Sequence, residues 1–170
     1  MWLVLAGIVM FFAAFTSAYI VMHGRDDWQS FNLPHAFWLS TIVILVSSGT
    51  MHLALKSFKN RNMHRYKRLI TLTAFLGLVF MGAQLVGFSG MYAEGFTLTW
   101  NISAGFLFVI VGAHMLHVLG GVIALLVIFF RAYRKKVRTY DPVPVEIAAT
   151  YWHFVDGLWL YLYIFFMIIR

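Results

Sequence analysis

Five side chains in this sequence could do chemistry where their neighbours could not: His114, His117, Glu146, His153 and Asp156. Imidazoles and carboxylates move protons, hold metals and anchor polar headgroups. Inside a bilayer each is costly unless it has a partner or a task. His114 and His117 are three residues apart, as are His153 and Asp156, so each pair shares one face of a helix. At 1.5 Å per residue Asp156 lies about 15 Å from Glu146, and His117 about 20 Å from Arg131, which places both pairs near mid-bilayer. Matched depth and spacing predict that the two segments touch, with His114 or His117 bonded to Asp156 or His153. Gly120, Gly121 and Ala124 leave little side chain on the first segment, which lets another helix approach closely.

Two histidines and a carboxylate could hold iron or zinc. Facing histidines could hold a haem. The sequence offers no further carboxylates or Glu-x-x-His pairs in the spans, and its deep rings fall as two close pairs. The expected reading is a structural clasp, or a polar lining that meets lipid headgroups or a partner subunit, with no metal and no cofactor in this chain. Nucleophile triads, phosphate loops and zinc-protease motifs are absent from the sequence.

These residues sit in a chain that is 62% hydrophobic and 11% charged over 170 residues, against about 25% charged in a soluble domain. That composition calls for a bilayer and for one transmembrane domain. The fold class is all-α, a polytopic bundle of five transmembrane helices. The expected spans are residues 2–23, 36–55, 69–90, 102–130 and 147–169, each near the ~20 residues that a 30 Å core requires. The runs are continuously apolar, not alternating, which excludes barrel strands. The apolar start, Met1 to Met22, lacks a basic region and reads as a retained helix, not a signal peptide.

The net charge is +7, and eleven of thirteen basic residues fall in two clusters. Lys56, Lys59, Arg61, Arg65, Lys67 and Arg68 lie between spans two and three, and Arg131, Arg134, Lys135, Lys136 and Arg138 between spans four and five. This asymmetry predicts a cytoplasmic amino terminus and an outside carboxyl terminus. A solvated basic face is sufficient to explain the clusters, with anionic-lipid contacts at Lys59, Arg61, Arg65, Lys67 and Arg68 as a second use. The placement argues against nucleic acid as a partner. There are no cysteines, which excludes disulfides and thiolate metal sites. Trp28, Trp38 and Trp100 read as interfacial anchors, and Trp152, Trp159, Tyr151, Tyr161 and Tyr163 as packing or lipid contact. Gln84 reads as a helix–helix hydrogen bond. Pro34, Pro142 and Pro144 suit helix entry.

The run Gly112-Ala113-His114-Met115-Leu116-His117-Val118-Leu119-Gly120-Gly121 resembles the G-x-H-x-L-H-V-x-x-G stretch of haem-copper oxidase subunit III. Glu146, the run Tyr151-Trp152-His153-Phe154-Val155-Asp156, and then Trp159 and Tyr163 resemble that family's last helix, E-x4-YWHFVD-x2-W-x3-Y. The start of the chain is similar to the family's third helix, and Gln84 stands where the family often has Gln. The resemblance is to the five-helix bacterial form, without the two additional helices of seven-helix members.

The resemblance implies an accessory, non-catalytic subunit of an oxidoreductase complex, a cytochrome c or quinol oxidase of aerobic respiration. It implies packing on the catalytic subunit I and other oxidase subunits, with haem and copper held by those partners. It also implies bound phospholipid, support of proton uptake and stability, and a multi-pass location in the bacterial inner (cell) membrane. One position departs from the pattern. Ala6-Gly7-Ile8-Val9-Met10-Phe11-Phe12 stands where the family usually reads A-S-E-V-M-F-F, so Ile8 replaces a buried glutamate and any role tied to that carboxylate. Two alternatives stay open: an accessory protein of a nitric oxide reductase in the same family, and a proton-coupled transporter using the His-Asp residues as a relay.

Overall fold

A computed structural model describes residues 1–24, 35–93, 95, 102–133 and 142–169. Five α-helices follow in order: α1 Trp2–His23, α2 His35–Lys59, α3 Met63–Ala93, α4 Ile102–Tyr133 and α5 Val143–Ile168. All five are long and apolar enough to cross a membrane. In hydrocarbon a helix satisfies its backbone hydrogen bonds within itself, so uninterrupted apolar runs become helices.

Helices α2, α3, α4 and α5 form a ring in which each packs on the next and α5 returns to α2. Helix α1 lies outside the ring against α4, and reaches α5 where the Thr16 and Tyr161 hydroxyls meet at 3.0 Å. The expected contact between α4 and α5 is present.

Helices α2 to α5 all run past the expected spans at the basic end, α3 by the most. Lys56 and Lys59 form the last turn of α2, and Arg65, Lys67 and Arg68 lie within the first turns of α3. The basic stretch is therefore largely helical, and only Asn60, Arg61 and Asn62 connect the two helices. Charge marks where hydrocarbon ends, not where a helix ends. Cations in a last turn also favour the helix dipole. Arg61 adopts a left-handed φ of 55°. With it, Asn62 N–H reaches the Ser57 carbonyl at 3.0 Å and Arg61 N–H the Phe58 carbonyl at 2.9 Å, the double bond of a Schellman cap. Asn62 then caps α3, its Oδ1 accepting from Arg65 N–H at 3.2 Å.

At the start of α5, Pro142 precedes the first helical residue, and a proline falls in the opening positions, where the missing N–H costs nothing. Trp38 is 59% exposed, as an interfacial residue would be. Trp28, Trp100 and Pro34 lie outside the described residues, as do Arg134, Lys135, Lys136 and Arg138.

Candidate functional site: the polar interior around the last helix

Helix α5 carries Trp152 and Trp159 seven residues apart, both 1% exposed. Seven residues are nearly two turns, so both indoles point into the ring. The Trp152 indole N–H donates to Ser47 Oγ at 3.1 Å, and the Trp159 indole N–H donates to Thr41 Oγ1 at 3.0 Å. The hydroxyls are themselves satisfied by backbone. Thr41 donates to the Phe37 carbonyl at 2.7 Å, and Ser47 donates to the Thr73 carbonyl at the long distance of 3.5 Å. Gln84, fully buried, forms the expected interhelical bond, its Nε2 donating to Ser40 Oγ at 2.9 Å.

The predicted site residues are not one cluster. His114 is fully buried inside aromatic rings from three helices. It stacks on Trp159 of α5 at 5.3 Å and 28°, and meets the edges or faces of Phe12 of α1 and Phe80 of α3, each at 6.3 Å. Neither ring nitrogen has a hydrogen-bond partner among the described residues. His117 donates Nδ1–H to the Ala113 carbonyl of its own helix at 2.7 Å and lies 5.6 Å from the Phe12 ring.

His153 bonds α2, with Nδ1 2.7 Å from Ser48 Oγ. Its ring lies 6.3 Å from that of His52. Asp156 is 3% exposed, and neither carboxyl oxygen has a partner within hydrogen-bond geometry. Asp156 lies one turn from His153 on the same face of α5. Glu146 stands apart at the helix start, 2.7 Å from Lys59 Nζ, with the two side chains 53% (Lys59) and 40% (Glu146) exposed.

The expected bond from His114 or His117 to Asp156 or His153 therefore does not form. Equal depth places residues in one layer, but it does not say which neighbouring helix each one faces. In polar terms α4 and α5 join through a bond the spacing did not suggest, Tyr151 Oη–H to the His117 carbonyl at 3.0 Å. They also join through glycine. A Cβ on Gly121 would stand 3.0 Å from the Trp152 ring, and one on Gly77 of α3 would stand 2.8 Å from it. Of the expected small residues, Gly121 is the one that seats the indole. Trp152 thus touches α2, α3 and α4 together.

The α2 hydroxyls Thr41, Ser47 and Ser48 were missed by reading the ionisable groups alone. A signal was present. Thr41 and Ser47 are six apart, within one residue of the interval that separates the two indoles they serve. Among the expected basic contacts, Lys59 is paired with Glu146, and Lys67 Nζ lies 5.1 Å from the centre of the Tyr133 ring. Arg61, Arg65 and Arg68 are exposed. Among the described residues no three of His, Cys, Asp and Glu converge as a metal site would require.

The chain is 26% identical over 167 residues to cytochrome c oxidase subunit 3 of Bacillus sp. (strain PS3), covering 95% of this chain and 80% of that protein. It is 25% identical over 163 residues to a probable quinol oxidase subunit 3 of Staphylococcus aureus (strain USA300), covering 93% and 81%. It is 35% identical over 141 residues to cytochrome c oxidase subunit 3 of Petromyzon marinus, covering 83% of this chain and 52% of that protein. With five spans and such bacterial relatives, the chain is a multi-pass protein of the bacterial inner (cell) membrane. The family model for cytochrome c oxidase subunit III matches residues 2–169, and the chain belongs to that family.

Proposed function

We propose that this chain is the accessory, cofactor-free subunit III of a haem-copper terminal oxidase. In this reading it packs on the catalytic subunit I, binds phospholipid, and supports proton uptake and stability of the complex. Haem and copper belong to the partner subunits, and electrons do not pass through this chain. Residues 1–170 act as one transmembrane domain. The basic end formed by Lys56 to Arg68 faces the cytoplasm, which puts the amino terminus inside and the carboxyl terminus outside.

One observation carries the reading. The polar side chains of α2 and α5 are engaged with one another, through Trp152–Ser47, Trp159–Thr41 and His153–Ser48. Such a fastening suits a rigid bundle that docks on a partner. A solute carrier instead needs broken helices and a site between repeats. Family membership and the oxidase names of the relatives support the kind of partner. His114, His117, Glu146, His153 and Asp156 are assigned structural and lipid-contacting roles. The exposed Arg61, Arg65 and Arg68, with Lys59 and Lys67 beside them, meet anionic headgroups.

The test is purification of the tagged chain in mild detergent, followed by identification of what accompanies it and an optical spectrum. A haem-copper catalytic subunit is the expected companion. Oxidation of cytochrome c or of quinol by that preparation names the donor. A companion carrying haem with non-haem iron would instead assign the chain to a nitric oxide reductase. Recovery of the chain alone, moving protons or solute when reconstituted, would overturn the accessory role.

A further inference from the structure

We infer that the seam between α2 and α5 is a proton path leading from the basic end of the bundle to the buried carboxyl of Asp156. The inference does not depend on which catalytic subunit the chain serves.

The seam is polar in three layers. Lys59 and Glu146 pair at its mouth at 2.7 Å. His52 and His153 form the next layer, with ring centres 6.3 Å apart. Each is seven residues from its charged neighbour, so the layers are separated by about 10 Å along the helices and lie on one face. Lys56 stands one turn from His52 on α2 and is exposed. A lysine so placed can extend its ammonium group toward the interface. Ser48 and Asp156 form the innermost layer.

The connections suit proton transfer. His52 is exposed and His153 half-buried. An imidazole can take a proton at one nitrogen and release another from the second. His153 Nδ1 is already in place, 2.7 Å from Ser48 Oγ. A serine hydroxyl accepts and donates at once, and Asp156 lies one turn beyond the His153 that Ser48 bonds, on the same face of α5. Asp156 is 3% exposed, with neither oxygen bonded. The indoles before and after it along α5 are bonded by contrast, Trp152 to Ser47 and Trp159 to Thr41.

The transfer balances without a redox partner. His52 takes a proton from water at the basic end and passes one to His153. His153 Nδ1 gives a proton to the Ser48 oxygen as the Ser48 hydroxyl proton moves to the Asp156 carboxylate, which becomes a carboxylic acid. Release runs the same steps backward. The titratable groups facing this path are His52, Lys56 and Lys59 from α2, and Glu146 and His153 on α5. On α4, His114 meets α5 but is stacked on the Trp159 ring, and the His117 ring lies against Phe11 and Phe12 of α1 and bonds the Ala113 carbonyl.

The experiment is infrared spectroscopy of the purified native assembly during transfer into deuterated water. The Asp156→Asn variant identifies the carboxyl band that belongs to Asp156. In the unaltered protein that band shifts on deuteration. Ser48→Ala and His153→Phe should slow the shift about tenfold or more, because exchange then waits on local opening of the bundle. Ser48→Thr, which keeps the hydroxyl, should restore it. Ser48→Ala removes one oxygen and spares the indole bonds, so assembly is retained even if His153→Phe is not tolerated. Equal exchange rates in Ser48→Ala and the unaltered protein would overturn the path. So would the absence of any carboxyl band that Asp156→Asn removes.

Discussion

On its α2 side, helix α5 presents N–H and imidazole groups, and α2 answers with hydroxyls: Trp152 to Ser47, Trp159 to Thr41 and His153 to Ser48. On its α3 and α4 side, the same helix presents ring surface, and the neighbours answer with glycine or with another ring. Gly77 and Gly121 make room for Trp152, and His114 stacks on Trp159 without a hydrogen bond. Lipid removes most of the hydrophobic drive between helices, so packing and side-chain hydrogen bonds must hold the bundle. On α5 the bonds between side chains gather toward α2 and the ring packing toward α3 and α4, where the Tyr151 hydroxyl also bonds the His117 carbonyl. Trp152 and Trp159 each take part in both.

That division can be broken most severely at Trp152. Trp152→Ala removes the indole bond and empties the space between Gly77 and Gly121, and should cost about 3–5 kcal/mol. The measurement is the thermal midpoint of the detergent-solubilised assembly. Gly77→Ala probes the packing side alone. Its methyl group would meet the Trp152 Cη2 at 2.8 Å, and overpacking of this kind costs about 1–3 kcal/mol. The Cη2 and Cζ2 atoms that it meets are missing from phenylalanine. Gly77→Ala should therefore be less harmful in a Trp152→Phe background, and equal damage in both backgrounds would remove the steric account.

The hydrogen-bonding side is sharpened by a double-mutant cycle on Ser47→Ala and Trp152→Phe. The coupling should be about 0.6 kcal/mol and no more than about 1.7, the range seen for side-chain bonds between membrane helices. No coupling would mean that this side too is held by shape. The smallest effect belongs to the mouth of the seam. Lys59 and Glu146 are 53% and 40% exposed, so Glu146→Gln should cost about 0–1 kcal/mol. That cost should shrink further in high salt.

Much of the fold was legible in the residues. Long uncharged runs predicted five spans, and five helices follow at nearly those places. Boundaries at the basic end were shorter than the helices, because Lys56, Lys59, Arg65, Lys67 and Arg68 mark the limit of hydrocarbon while the backbone hydrogen bonds continue past it. The site was legible by residue and not by pairing. His114, His153 and Asp156 were picked out by their cost in a membrane, and His114 and Asp156 are indeed buried. His153 turns to α2, His117 bonds its own backbone, and Glu146 pairs with Lys59.

The linear order of apolar and charged residues was enough to determine that this chain crosses a bilayer as helices. Unsatisfied backbone groups are intolerable in hydrocarbon, and only a few structures avoid them. Its two motif stretches were enough to point to the family. Which side chain meets which was decided by the order of the helices around the ring. Sequence spacing supplies depth and helix face, but the neighbour across that face is set by how five cylinders pack together. That arrangement turned Thr41, Ser47 and Ser48 from unremarked small residues into the partners of α5, and left Asp156 buried at the end of a polar seam.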